Sequence, residues 1–323
     1  ELYAVGDNLK DIIAKLVQVA NDDGWIKELL DGARNASTNQ QLQDFVPNAL
    51  ATLNPQAWYK PKDHYKTCFL PGNRAFIGRK DLRRLLNDLN ASQHSVLIVD
   101  GPPHSGRTYS LTLISYLANQ LQQYKVVTIE LKQNPLISYS PGALMKRIAL
   151  QMKLPVDTIP QWNPNESEEQ WLEDLRDWLT GEVNQLDGTW WVIIDGFQYI
   201  AEDGTQRTTD LPTATLDLIR HLIKWADSLM PQFFRIVLLD YPEVLPDEDG
   251  SNIKREHITR ISDVDLKEFF KQLLLDKNIE ADPAAIDLAV NEVKSRVLVA
   301  PDSPERLPEL ARAVREVSEK LFS

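Results

Sequence analysis

The chain has 323 residues, enough for one large or two medium domains with real cores, and a formal net charge of −12. That acidity argues against a surface that tracks DNA or RNA, which needs a basic stripe to displace counterions. Cys68 is the one cysteine, so a disulfide framework and a thiolate metal site are excluded, and a buried or inert thiol in a reducing cytoplasm is expected.

No run of about 18 apolar residues and no charged-then-apolar leader is present, which disfavours membrane spanning and secretion. The chain opens at Glu1 without methionine, as a piece of a longer protein does. Residues 8–46 read as helices. Leu9, Ile12, Ile13, Leu16 and Val17 share one face, and Asp22-Asp23-Gly24 stops it. Trp25, Ile26, Leu29, Leu30 and Ala33 form a second stripe, and a third helix carries Leu42 and Phe45. So few apolar residues make a thin core, hence the expectation of half a helical domain over residues 1–46. Residues 47–75, with five Pro or Gly breakers from Pro47 to Gly72 and no sustained period, read as a linker.

Residues 76–82 open an amphipathic helix with Leu82, Leu85, Leu86 and Leu89 on one face. The apolar run 95–100 is a strand that enters a glycine-bounded loop, and Leu111, Ile114 and Leu117 mark the helix behind it. A second strand is expected at 125–131, a helix at 141–153, and another at 168–186, whose Trp171 and Trp178 belong to a packing stripe. Residues 190–195 are apolar throughout, as in a parallel strand buried on both faces. A helix at 213–229, a strand at 235–240, an exposed loop rich in Asp, Glu and Pro, and a short strand at 257–261 follow. From Asp263 onward the pattern is helical. Alternating strands and helices predict an α/β fold, a three-layer sheet over residues 76–262 with a helical lid at 263–323.

The chemistry sits in residues 101–109, Gly-Pro-Pro-His-Ser-Gly-Arg-Thr-Tyr, a phosphate-binding loop of the G-x-x-x-x-G-K-[ST] type with Arg107 in place of lysine. In such a loop backbone N–H groups and the helix N-terminus wrap the phosphates, the lysine reaches the β- and γ-phosphates, and the Ser/Thr hydroxyl binds Mg²⁺. Gly101, Ser105, Gly106, Arg107, Thr108 and Tyr109 are therefore the candidate nucleotide contacts, with Thr108 and Asp195 the candidate Mg²⁺ ligands. Arginine keeps a positive charge but spreads it over a planar fork, so binding survives more readily than γ-phosphoryl chemistry. Asp195 ends a strand in the Walker B position; as an Asp-Gly pair it also suits an ordinary turn. Gly196 follows where hydrolytic enzymes carry a second carboxylate, and Glu202 and Asp203 lie beyond it in a loop. No catalytic residue is assigned. Asp240 stands at the place of a γ-phosphate sensor or is a solvated strand-end acid, and Arg255 and Arg260 face phosphate, a neighbouring subunit or solvent. The five histidines have no zinc-ligand spacing.

Residues 76 to about 275 resemble the STAND branch of AAA+-type P-loop NTPases, through Phe76-Ile77-Gly78-Arg79 as the opening motif, residues 101–108 as Walker A and Ile194-Asp195 as Walker B. Arg107 and Gly196 depart from that pattern toward inactivated modules of bacterial conflict systems, and no winged-helix segment with a Gly-x-Pro motif is evident. Residues 1 to about 46 resemble the second half of effector-associated domain 1, a death-domain-like helical adaptor, through Asn8–Ile13, Gly24–Leu30 and Ala33-Arg34-Asn35-Ala36. The two resemblances imply an intracellular adaptor for bacterial defence that takes ATP or ADP with Mg²⁺, has lost hydrolysis, and meets an effector bearing a matching domain, such as a caspase-like or trypsin-like protease. The competing reading is a slow ATPase switch that forms homo-oligomers on activation. A DNA-loading AAA+ protein is disfavoured by the acidic balance, and neither nucleic acid nor membrane is an expected partner.

Overall fold

The computed structural model describes residues 29–30, 32–33, 36, 63–107, 109–131, 140–200, 206–228, 233–245, 252–277, 279–300 and 303–322. The chain divides into two compact units, residues 1–64 and 65–323. The expected half-domain at 1–46 lies outside the described residues, apart from Leu29, Leu30, Gly32, Ala33 and Ala36, which are helical.

Residues 65–323 open with a small hairpin, β1 (Phe69–Leu70) and β2 (Arg74–Ala75), within the stretch expected to be linker. Gly72 and Asn73 both take left-handed φ, 78° and 55°. A turn of that kind reverses the chain in three residues and leaves no periodic pattern to read. Helix α1 (Lys80–Asn90) follows, then strand β3 (Val96–Asp100), helix α2 (Tyr109–Leu121) and strand β4 (Tyr124–Glu130). Helices α3 (Pro141–Met152) and α4 (Glu168–Val183) lead to strand β5 (Thr189–Asp195) and a hairpin of β6 (Gln198–Ile200) with β7 (Gln206–Thr208). Helix α5 (Thr213–Ser228), strand β8 (Phe234–Leu239) and strand β9 (Ile253–His257) complete the sheet.

The five long strands are all parallel in the order β4-β5-β8-β3-β9. Period-2 alternation sends their side chains to two faces. Ile98, Val192, Ile194, Ile236 and Leu238 meet α3, α4 and α5 on one side. Leu97, Val99, Trp191, Ile193, Val237 and Leu239 meet α1 and α2 on the other, completing three layers. The tryptophan stripe of α4 is packing, as its spacing predicts: Trp171 is buried and donates from Nε1 to the Pro160 carbonyl at 3.0 Å.

The fifth strand lies four residues earlier than expected, at Ile253–His257 rather than 257–261. Its inward positions include Glu256, buried against an arginine rather than against an apolar neighbour, so its pattern reads as a charged loop. Helices α6 (Asp263–Asp276), α7 (Pro283–Arg296) and α8 (Arg306–Leu321) share one further core around Phe270, Val293 and Val314. Their starts are written locally. Ser262 and Asp265 form a reciprocal capping box for α6, and Asp282 caps α7 ahead of Pro283. Cys68 belongs to this core, and burial pushes its thiol up to about 12, an inert residue as expected. Among the described residues no helix is long and apolar enough to cross a membrane.

Candidate functional site

The loop expected to bind phosphate runs from the carboxyl end of β3 to the start of α2. Its turns are closed by Ser105 N–H on the Pro102 carbonyl at 3.2 Å and by Tyr109 and Ser110 N–H on the Gly106 and Arg107 carbonyls at 3.0 and 2.9 Å. His104 and Gly106 take left-handed φ, 61° and 85°. Backbone turned in this way, at a helix N-terminus, makes an anion-binding concavity. Each loop glycine has a specific constraint. A Cβ on Gly101 would stand 2.8 Å from both Ile258 Cβ and Ser105 Oγ, and one on Gly106 would stand 3.0 Å from Leu307 Cδ1 of α8. The first turn of α8 therefore rests on the loop. Ser105 Oγ is buried with no hydrogen-bond partner among the described residues, a polar atom inside the concavity that a ligand would satisfy. Thr108 lies outside the described residues. Tyr109 is half-buried, its ring stacks on Phe76 at 5.8 Å, and its N–H is taken by the Gly106 carbonyl.

Arg107 does not extend freely into this concavity. Its Nη1 donates to the Gly101 carbonyl at 2.9 Å and to Asp240 Oδ1, forming an ion pair with side chains 11% and 5% exposed. Asp240 is thus no solvated strand-end acid: burial outweighs Arg107 and, with the nearby Asp195 and Asp100 charges, pushes its carboxyl up to about 7. Its φ is 63°, and its N–H is bonded to the Val99 carbonyl of β3 at 2.9 Å.

Asp100, Asp240 and Asp195 end three adjacent strands, β3, β8 and β5, where open α/β sheets place their ligands. Asp195 Oδ1 accepts from Gly196 N–H at 2.7 Å, the local bond expected of an Asp-Gly turn, at the carboxyl end of β5. Gly196 itself has φ 93°, and its carbonyl accepts from the Thr209 hydroxyl, while Thr209 N–H bonds the Phe197 carbonyl at 2.7 Å. The position of the missing second carboxylate is therefore locked in a backbone conformation that suits glycine alone. Glu202 and Asp203 lie outside the described residues.

Arg255 is not surface charge either. It donates to Asp100 Oδ2 and to the Glu243 carbonyl, both at 2.7 Å, and His257 Nδ1 stands 2.5 Å from Asp100 Oδ1. Arg260 is exposed. Asp100, Arg255 and His257, with Gly101, Arg107, Gln198, Asp240 and Tyr241, line a cleft of about 490 Å³.

Two further residues hold the site together. Arg79, in left-handed backbone at φ 57°, grips buried Glu256 with two bonds of 2.8 and 2.7 Å, donates to Ser110 Oγ at 2.9 Å and reaches the Gly106 carbonyl at 3.5 Å. It ties β9 to the loop and to α2. The opening motif marks Arg79; nothing marks Glu256, 177 residues away.

The cradle fits a nucleoside phosphate in its backbone turns, its glycines and the unsatisfied Ser105 hydroxyl. Among the described residues no group of three or more His, Cys, Asp or Glu could hold a metal alone. A Mg²⁺ ion here would lean on Asp195, Thr108 and the ligand's own phosphates, the usual division for that ion.

No protein family matches the chain by sequence, and no curated protein does. Among solved structures it is similar to Drosophila ORC bound to DNA, at 14% identity and TM-score 0.40 over 81% of this chain and 60% of that one. It is similar to a variant of Thermotoga maritima RuvB, at 16% and 0.34 over 79% and 64%. A third likeness is to the E. coli MS115-1 HORMA:CdnC:Trip13 complex, at 12% and 0.34 over 96% and 91%. The chain spans less than two thirds of the first two, and at these scores the likenesses carry no argument about chemistry. The chain's own sheet order, with a phosphate-type loop after β3 and Asp195 across one intervening strand, is that of an α/β P-loop NTPase-type fold.

Proposed function

We propose that the chain is a STAND-like, AAA+-related signalling module that binds ATP or ADP without hydrolysing it and couples to an effector in bacterial defence. The observation that carries this reading is the pairing of a cradle fit for phosphate with Gly196, held at φ 93° where a catalytic base would stand. Nucleotide then acts as a bound ligand whose presence the lid feels through Leu307 on Gly106. One observation favours the second reading, a slow ATPase switch. Gln198 lines the cleft beside Asp240, and a glutamine can orient an attacking water where a carboxylate is missing.

ATP or ADP with Mg²⁺ is expected to raise the thermal midpoint by binding the native state, by an amount that grows with ligand concentration. Gly106→Val removes the shift, because the position requires left-handed backbone at φ 85°, which valine strains, and the added side chain meets Leu307. A folded protein whose midpoint ignores millimolar nucleotide would end the nucleotide-binding reading.

The adaptor half of the proposal assigns residues 1–46 the contact with an effector that carries a matching helical domain. Deleting those residues is expected to abolish capture of such an effector in a pull-down with purified proteins. Capture that persists undiminished removes the adaptor role and leaves the nucleotide site standing.

A further inference from the structure

We propose that the Arg107–Asp240 ion pair is an internal latch on the loop, so that a nucleotide's phosphates gain the arginine only by displacing the carboxylate. The inference rests on reading residues 101–109 as a phosphate site, and adds to it what regulates access.

Three observations support the latch. First, the guanidinium is folded back along its own loop: one nitrogen, Nη1, serves both the Gly101 carbonyl and Asp240. A planar fork can hold such a position where a compact ammonium on a flexible stem would not be fixed. Second, the pair is nearly dry, with side chains 11% and 5% exposed, so the attraction is screened little by solvent. Third, among the described residues Arg107 is the one cation that acts on this carboxylate. Its neighbours at the carboxyl ends of the strands are Asp100 and Asp195, and Arg255 is already held by Asp100 at 2.7 Å. Drawing Arg107 away leaves Asp240 buried among like charges, with the incoming phosphates adding more of the same sign. Nor can the strand end swing aside cheaply, because the Asp240 N–H is held by the Val99 carbonyl at 2.9 Å.

The unsatisfied Ser105 hydroxyl marks the concavity that the released arginine would share with an anion. Resting closed and opening only for a well-held ligand, such a latch lowers affinity for phosphate in return for a defined empty state.

The test is calorimetric titration of the purified chain with ADP in the presence of a chelator, which takes any metal at Asp195 out of the comparison. Asp240→Asn keeps the shape of the side chain and tolerates the left-handed backbone at φ 63°, and Asp240→Gly tolerates it without a side chain. Both are expected to bind ADP about tenfold more tightly than the unmodified chain, the low end of what uncoupling a close charge pair changes. Adding Arg107→Gln to either variant cancels the gain. Equal or weaker binding by both single variants, while the unmodified chain binds, overturns the latch. A gain that survives Arg107→Gln also overturns it, since the arginine is then not what was released. If none of the proteins binds ADP, the phosphate-site reading fails and the latch with it.

Discussion

Arg79→Ala is expected to destabilise residues 65–323 by about 3–5 kcal/mol, the cost of leaving one partner of a buried ion pair uncompensated. The stranded partner is Glu256, whose side chain is 4% exposed and which loses both of its guanidinium bonds. For a unit of this size the loss corresponds to a drop in thermal midpoint of roughly 10 °C. The same substitution releases Ser110 and the Gly106 carbonyl, so the remaining folded fraction should bind nucleotide more weakly. Glu256→Gln separates the two effects, because it removes the charge while keeping an acceptor for Arg79. A double-mutant cycle on denaturant midpoints measures the coupling. A loss below about 1 kcal/mol for Arg79→Ala would mean the pair is solvated and unimportant, as exposed pairs usually are.

That pair shows what sequence can and cannot reveal here. The central sheet was legible because β3, β5 and β8 are buried on both faces and so consist almost wholly of apolar residues. The loop was legible because its glycines are demanded by backbone geometry, which leaves a mark at fixed spacing. Strand β9 was not, since Arg255, Glu256 and His257 face charged partners rather than an apolar layer. The hairpin at Phe69–Ala75 is too short for any period to register. Asp240 and Arg107 were each visible as candidates, yet not as partners, because 133 residues separate them and only the placement of β8 beside β3 joins them.

The unmodified chain is expected to show no measurable ATP turnover, and the structure makes the two departures unequal. Arg107 is a reversible obstacle, a cation in the right loop turned toward Asp240, and Arg107→Lys alters its shape without supplying a base. Gly196 is the deeper one. A base is typically worth about 10²–10⁴-fold in rate, but a glutamate here must adopt φ 93° in a backbone pinned by Thr209. Gly196→Glu should therefore cost about 1–2 kcal/mol of stability and leave activity at background. With a misplaced base and an engaged arginine acting on one transition state, repairing either alone gains little, and the double variant Arg107→Lys, Gly196→Glu gains at most a fraction of an ordinary ATPase rate. The measurement is phosphate release by purified protein, with Asp195→Ala as the control for contamination. Steady hydrolysis by the unmodified chain that Asp195→Ala abolishes would replace the inactive reading with the ATPase switch, and Gln198 would then be the first residue to substitute in search of what positions the water.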